Sequence, residues 1–244
     1  MKRFVLRMAA LVLLCGVAGS VKADIITPAG LNAGDQFRIV FVTDGLTPAS
    51  SADLAGFYDP IVTSEAAAAG ISTYLGSPVT WQTIGSTKIV NAVDRLPKDN
   101  VPIFLTDGTK VAASGTDLWS ITPFFGTLMH AIDEDATGVR PPNSFATWTG
   151  TQTDGTAFIN AFFDFSLGNT DKNGVTITGA FLFDDHAWVD AISFPSSQPF
   201  SLYGFSSVLT APVVAVPVPE PASLTLLGIG LTGMAGYALR RRNK

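Results

Sequence analysis

The sequence predicts an α+β domain with an antiparallel sheet and one or two helices, preceded by a signal peptide and followed by a C-terminal transmembrane helix. Three observations lead there. One helical periodicity near the start is followed by many short apolar runs separated by Gly, Asp and Asn turns, the pattern of helices set against a mostly antiparallel sheet. An apolar run stands at each end of the chain beside basic residues. Eight of the fifteen Lys and Arg lie in those two ends, which leaves the part between them strongly acidic.

At the N-terminus, Lys2, Arg3 and Arg7 precede an apolar run at 8–17, and Val21-Lys22-Ala23 forms a small-residue cleavage site. Cleavage is expected between Ala23 and Asp24. Gly16, Gly19 and Ser20 interrupt the run, which is too short to serve as an anchor. Cys15, the one cysteine, lies inside this segment behind Leu14, a residue too large for a lipoprotein signal. The mature chain therefore has no thiol chemistry and no disulfide, and depends on packing or a bound ion for stability.

Residues 24–208 are expected to form one domain. Residues 34–43 read as a strand with Phe37, Ile39 and Phe41 on one face and Arg38, Val40 and Val42 on the other. A helix follows, capped by Ser50 or Ser51, with Leu54, Phe57, Tyr58 and Ile61 on one core-facing stripe. Pro60 sits inside the pattern, and the alanine run at 66–69 carries it to Gly70, a good stop. A second short helix is expected over 123–131. Residues 79–84 form a strand, and 101–105 pairs with 109–112 across Asp107-Gly108. Residues 145–149 and 156–159 are expected to make a second hairpin around Asp154-Gly155, followed by strands at 175–183, 187–194 and 200–208. Pro212 and Pro217 make 209–218 an extended linker.

The chain ends with Val218-Pro219-Glu220-Pro221, an uncharged run at 222–239, and the cluster Arg240-Arg241-Arg242-Asn243-Lys244. Eighteen residues of helix span about 27 Å, enough for the hydrocarbon core of a bilayer. The basic cluster places the C-terminus on the cytoplasmic side and everything before Pro219 outside. Residues 219–244 resemble the PEP-CTERM sorting signal of Gram-negative bacteria. That resemblance implies export, transient membrane anchoring, processing by the membrane protease exosortase, and delivery to the cell surface, extracellular matrix or biofilm.

A second resemblance covers about 37–208. Asn100-Val101-Pro102-Ile103-Phe104-Leu105, then Leu118-Trp119, then Thr147-Trp148-Thr149-Gly150 with Asp154-Gly155, resembles the endostatin-like branch of the C-type lectin-like fold. The resemblance implies that fold and carries no ligand with it. The two disulfides, histidine zinc site and arginine-rich face of endostatin-like domains have no counterpart in this sequence, nor do the calcium motifs of the sugar-binding lectins.

Between the two signals stand seven basic residues against nineteen acidic ones, a net of −12. Such a surface repels nucleic acid, and admits anionic polysaccharide only through bridging divalent cations. Asp133-Glu134-Asp135 beside Gly138 offers the hard oxygen ligands that calcium takes, with a solvated acidic loop as the alternative. Asp184-Asp185-His186 with Asp190 is the densest cluster of potential ligands and reads as a polar hairpin between strands, since alternate residues of a strand face opposite ways. Asn169, Asp171, Asn173 and Gly174 resemble half of an EF-hand loop and read as a turn. No nucleophile-elbow sequence accompanies His130 or His186. Of Trp81, Trp119, Trp148 and Trp188, at least three are expected in the core. The reading is a non-enzymatic exported protein with a structural or adhesive role. Its rivals are a calcium-assisted carbohydrate-binding module of extracellular polysaccharide and a cryptic hydrolase.

Overall fold

Alternation of large apolar residues builds β1 (Gln36–Val42), in which every residue after Gln36 is buried. Phe37, Ile39 and Phe41 enter one core cluster, and Val40 and Val42 another. The computed structural model describes residues 25–120, 128–142, 145–160, 162–169 and 174–213. Nearly all of these belong to the compact unit Met1–Ala211, and a second unit begins at Pro212.

After β1, a π-helical turn at Leu54–Tyr58 leads into α1 (Asp59–Ala69). Asp53, rather than Ser50 or Ser51, caps this segment, its carboxylate accepting the Gly56 N–H at 2.8 Å. Pro60 stands at the start of α1, where its missing N–H costs nothing. The wide π turn shifts the buried stripe to Leu54, Tyr58, Val62 and Ala66, all four apart, while Phe57 turns outward at 36% exposure. Gly70 ends α1 in the left-handed region at φ 88°.

The remaining elements are β2 (Thr73–Tyr74), β3 (Ser77–Pro78), β4 (Trp81–Ile84), α2 (Ala92–Arg95), β5 (Ile103–Phe104), β6 (Lys110–Ala112), α3 (Gly115–Leu118), β7 (Thr147–Trp148), β8 (Val175–Gly179), β9 (Ile192–Pro195), β10 (Ser201–Ser206) and β11 (Leu209–Thr210). Among the described residues, nine strands form one sheet in the order β6-β5-β1-β10-β7-β8-β9, with β11 paired to β1 and β4 to β10. The sheet is mixed, not antiparallel throughout. β1 runs parallel to β5 and β10 parallel to β7.

β10 is the second axis of the sheet. Its first residues pair with β7 and its last with β4, while its other edge runs antiparallel to β1 with Phe41 opposite Gly204. A Cβ on Gly204 would stand 2.4 Å from Val62 Cγ1, so glycine is what lets α1 lie against the sheet here. Leu202 packs into the cluster that holds α1, and Tyr203 and Phe205 into the opposite one.

All four tryptophans are at most 2% exposed. Trp81 packs edge-on against Phe41 at 5.1 Å and Trp148 against Phe200 at 5.0 Å, while Trp119 and Trp188 meet at a tilt of 39° and 5.5 Å. Burial is possible because Nε1 of Trp81, Trp119 and Trp148 donates to the carbonyls of Ile71, Leu96 and Thr47 at 3.2, 2.7 and 2.8 Å.

Several sequence expectations are corrected. Residues 156–159 do not form a strand with 145–149; β7 pairs with β8 and β10, and Thr151 bridges Ala157 across the Asp154-Gly155 turn. The strand expected at 187–194 opens instead as a 3-10 turn at His186–Trp188. Leu209 and Thr210, assigned to the linker, are held by β1. The helix expected over 123–131 falls mainly on residues outside the description, as do the signal peptide with Ala23 and Asp24, the sorting residues Val218, Pro219, Glu220 and Pro221, the apolar run at 222–239, and Arg240, Arg241, Arg242 and Lys244. Among the described residues, no helix is long and apolar enough to cross a membrane.

Candidate functional site

The acidic residues sort into three kinds of environment. The first is the turn. Four Asp-x-Thr or Asp-x-Ser segments fold the same way, with the aspartate accepting both the N–H and the hydroxyl of the residue two positions on. Asp107 takes Thr109 at 2.7 and 2.9 Å, and Asp135 takes Thr137 at 2.7 and 2.7 Å. Asp154 takes Thr156 at 2.9 and 2.6 Å, and Asp164 takes Ser166 at 2.9 and 2.5 Å. Sequence reasoning missed this set. The signal was present as a repeated Asp-x-hydroxyl pattern, and the aspartates replace the backbone partner that a turn leaves out.

The second environment is the buried ion pair. Asp59 accepts the Arg95 Nη2 at 2.5 Å and the Thr83 N–H at 2.8 Å, the two charged side chains being 14% and 10% exposed. Arg38, 7% exposed at its side chain, donates Nη1 to Asp99 Oδ1 at 3.0 Å with the other oxygen 2.8 Å away, Asp99 itself being 30% exposed.

The third is the half-buried carboxylate whose titration is governed by desolvation. Glu65 accepts the N–H groups of Asp44 at 3.0 Å and Gly45 at 2.7 Å and thereby holds the loop after β1. Burial pushes its carboxyl above the ordinary value, with Asp44 and Asp135 adding to the rise and the two backbone donors opposing it. Glu65, Asp44 and Asp135 line a cavity of about 310 Å³. Burial likewise raises Glu134, helped by Asp107 and Asp133, and raises Asp190 against the opposing effect of His186.

The candidate calcium ligands diverge in this arrangement. Asp133 is tied to the Arg140 guanidinium and lies 3.7 Å from His130 Nδ1. Glu134 faces the Thr106 hydroxyl at 3.4 Å, and Asp135 is consumed by its own turn. Adjacent residues pointing to separate partners do not make the six to eight converging oxygens that calcium needs. Among the described residues, no three His, Cys, Asp or Glu side chains are grouped to hold a metal ion. Asp185 caps the turn that carries His186, accepting the Ala187 N–H at 2.9 Å, which leaves Asp184-Asp185-His186 as a capped corner. Of the EF-hand-like segment, Asn169 is fixed by the carbonyls of Ser166 and Val175, and Asp171 and Asn173 lie outside the described residues.

A cleft of about 800 Å³ lies beside the start of β1 and β5. Asp35, Gln36, Asp99, Asn100 and Lys110 supply polar groups, and Val101, Pro102 and Val208 apolar ones. Asp99 is held in place there by Arg38 and by the Val101 N–H at 3.1 Å. Lys110 Nζ stands 5.4 Å from the Phe104 ring centroid.

A comparison with curated proteins finds no match. Residues 217–242 match the PEP-CTERM protein-sorting motif, which indicates an exported protein that is transiently anchored in the membrane and processed by an exosortase.

Proposed function

We propose that the chain is a cell-surface or extracellular-matrix protein with a non-enzymatic, structural or adhesive role. Its signal peptide at 1–23 is removed after Ala23, and the apolar run at 222–239 spans the membrane until exosortase acts near Pro219-Glu220-Pro221. The observation that carries this reading is the sorting motif at 217–242. The use of carboxylates as turn caps and ion-pair partners supports the structural role, since those groups are committed to the fold. The burial of Trp119 and Trp148 supports the endostatin-like resemblance, which supplies a scaffold and no chemistry. Fractionation of cells with and without their exosortase tests the reading: the protein should reach the surface or medium only when the enzyme is present, and equal release from both would overturn it.

A second reading, a carbohydrate-binding module, is favoured by the cleft beside β5, where the held carboxylates of Asp35 and Asp99 stand with the Gln36 and Asn100 amides beside apolar Val101, Pro102 and Val208. Glycan-array binding that is insensitive to chelators would support it.

A further inference from the structure

The cleft beside β1 and β5 opens because the two strands part. Their parallel register sets Arg38 against Ile103, with the Arg38 N–H donated to the Pro102 carbonyl at 2.9 Å. Pro102 has no N–H to return to β1, so the ladder ends there and the chains diverge toward Asp35 and Asp99. Asp35 stands three positions before Arg38 and Asp99 three before Pro102, which puts both carboxylates at the same mouth. Each is fixed by the fold itself. Asp35 Oδ2 accepts the Asn32 N–H at 2.6 Å and the Asn32 side-chain amide at 3.1 Å, and Asp99 Oδ1 accepts from Arg38 and from the Val101 N–H. The Gln36 and Asn100 side chains are exposed and, among the described residues, spend no hydrogen bond within the fold.

We propose, on the carbohydrate reading of this cleft given above, that it takes an N-acetylated hexosamine unit of a neutral glycan, with the acetamido group as anchor. Each part of that group meets a matching surface. A fixed carboxylate accepts the acetamido N–H, the Gln36 and Asn100 amides donate to its carbonyl and to ring hydroxyls, and aliphatic Val101, Pro102 and Val208 receive the methyl. The apolar part of the lining suits a methyl rather than the face of a sugar ring. Among the described lining residues none is aromatic, and the Phe104 ring beneath Lys110 is 2% exposed. Charge narrows the class further. Lys110 at the cleft opposes a free amino sugar, and the −12 of the residues between the two ends opposes a uronate or sulfated chain. A neutral sugar that carries an acetamido group meets both conditions.

The test titrates the full chain, held in a non-glycosidic detergent, with triacetylchitotriose, the deacetylated chitosan trimer and cellotriose in a calorimeter. The acetylated trimer should bind one per chain and about tenfold tighter than either of the others. Val208→Ser, at a position 37% exposed, should weaken it about fourfold without moving the melting temperature, and Val139→Ser, at a position 58% exposed, should leave it unchanged. Equal binding of cellotriose, or tighter binding of the chitosan trimer, overturns the acetamido proposal and leaves the carbohydrate reading standing. Full binding of the acetylated trimer by Val208→Ser moves the site off the cleft and overturns the proposal as well. Binding of no trimer removes the carbohydrate reading and this proposal together. Pull-down then separates the two sources of such a sugar: retention on purified peptidoglycan sacculi assigns a cell-wall glycan, retention on insoluble N-acetylglucosamine polymer alone a secreted polysaccharide, and retention on neither overturns the proposal.

Discussion

The paired strands β1 and β10 and the acidic turns around them are stabilised by different means. The strands are sequestered on both faces: five large side chains of β1 divide between two core clusters, and Gly204 opens the space that α1 fills. The turns hold themselves by local hydrogen bonds two residues long, with Asp107 and Asp154 exposed, Asp135 partly so and Asp164 buried. In residues 24–208, which hold no cysteine, the interior supplies cohesion through aromatic burial, and aspartates fix loops that a disulfide would otherwise tie. Four of the nineteen acidic residues between the two ends, Asp107, Asp135, Asp154 and Asp164, thus serve turn construction.

Core and turn variants should therefore differ sharply. Trp148→Ala removes a fully buried ring and its bond to Thr47, and should cost about 3–5 kcal/mol in chemical unfolding. A melting temperature within a degree or two of the parent would remove β7 from the core. Asp59→Ala leaves Arg95 buried without its partner and the Thr83 N–H unsatisfied, and should cost about 3 kcal/mol. Asp154→Ala in an exposed turn should cost about 1 kcal/mol or less, and combining it with Asp107→Ala should be additive in thermal melts.

How much of this was legible in the sequence depends on range. Period-two alternation located β1 and divided its faces, Gly70 marked the end of α1, and Asp107-Gly108 marked the turn between β5 and β6. These are local signals. The parallel pairings of β1 with β5 and of β7 with β10 join segments separated by many residues, and no local pattern encodes them. The helix stripe failed at Phe57 because a π turn advances the register by a fraction of a turn, placing Val62 and Ala66 inward instead. For the acidic triplet, adjacency in sequence says nothing of convergence: Asp133, Glu134 and Asp135 go to three partners.

Titration sharpens the contrast at smaller amplitude. Glu65, Glu134 and Asp190 hold their protons more tightly folded than unfolded, so each favours unfolding at neutral pH. That penalty is relieved as pH falls through their raised values toward the ordinary 4.5 of Glu and 3.8 of Asp. Their contribution predicts a melting temperature that rises from pH 7 toward pH 5, and Glu65→Gln should flatten the rise. A parent that loses stability steadily over that interval would contradict it. The smallest effect is expected from divalent ions: with the candidate ligands turned apart, calcium and magnesium at 1 mM should shift the melt equally and by less than about one degree. A calcium-specific shift lost in Asp133→Asn would restore the metal site.

The central claim, export with cleavage at both ends, is tested most directly by the intact mass of the protein recovered from the cell surface or medium. The expected chain begins at Asp24 and ends between Pro219 and Ala222. A surface protein that still carries Arg240, Arg241, Arg242 and Lys244 would contradict it.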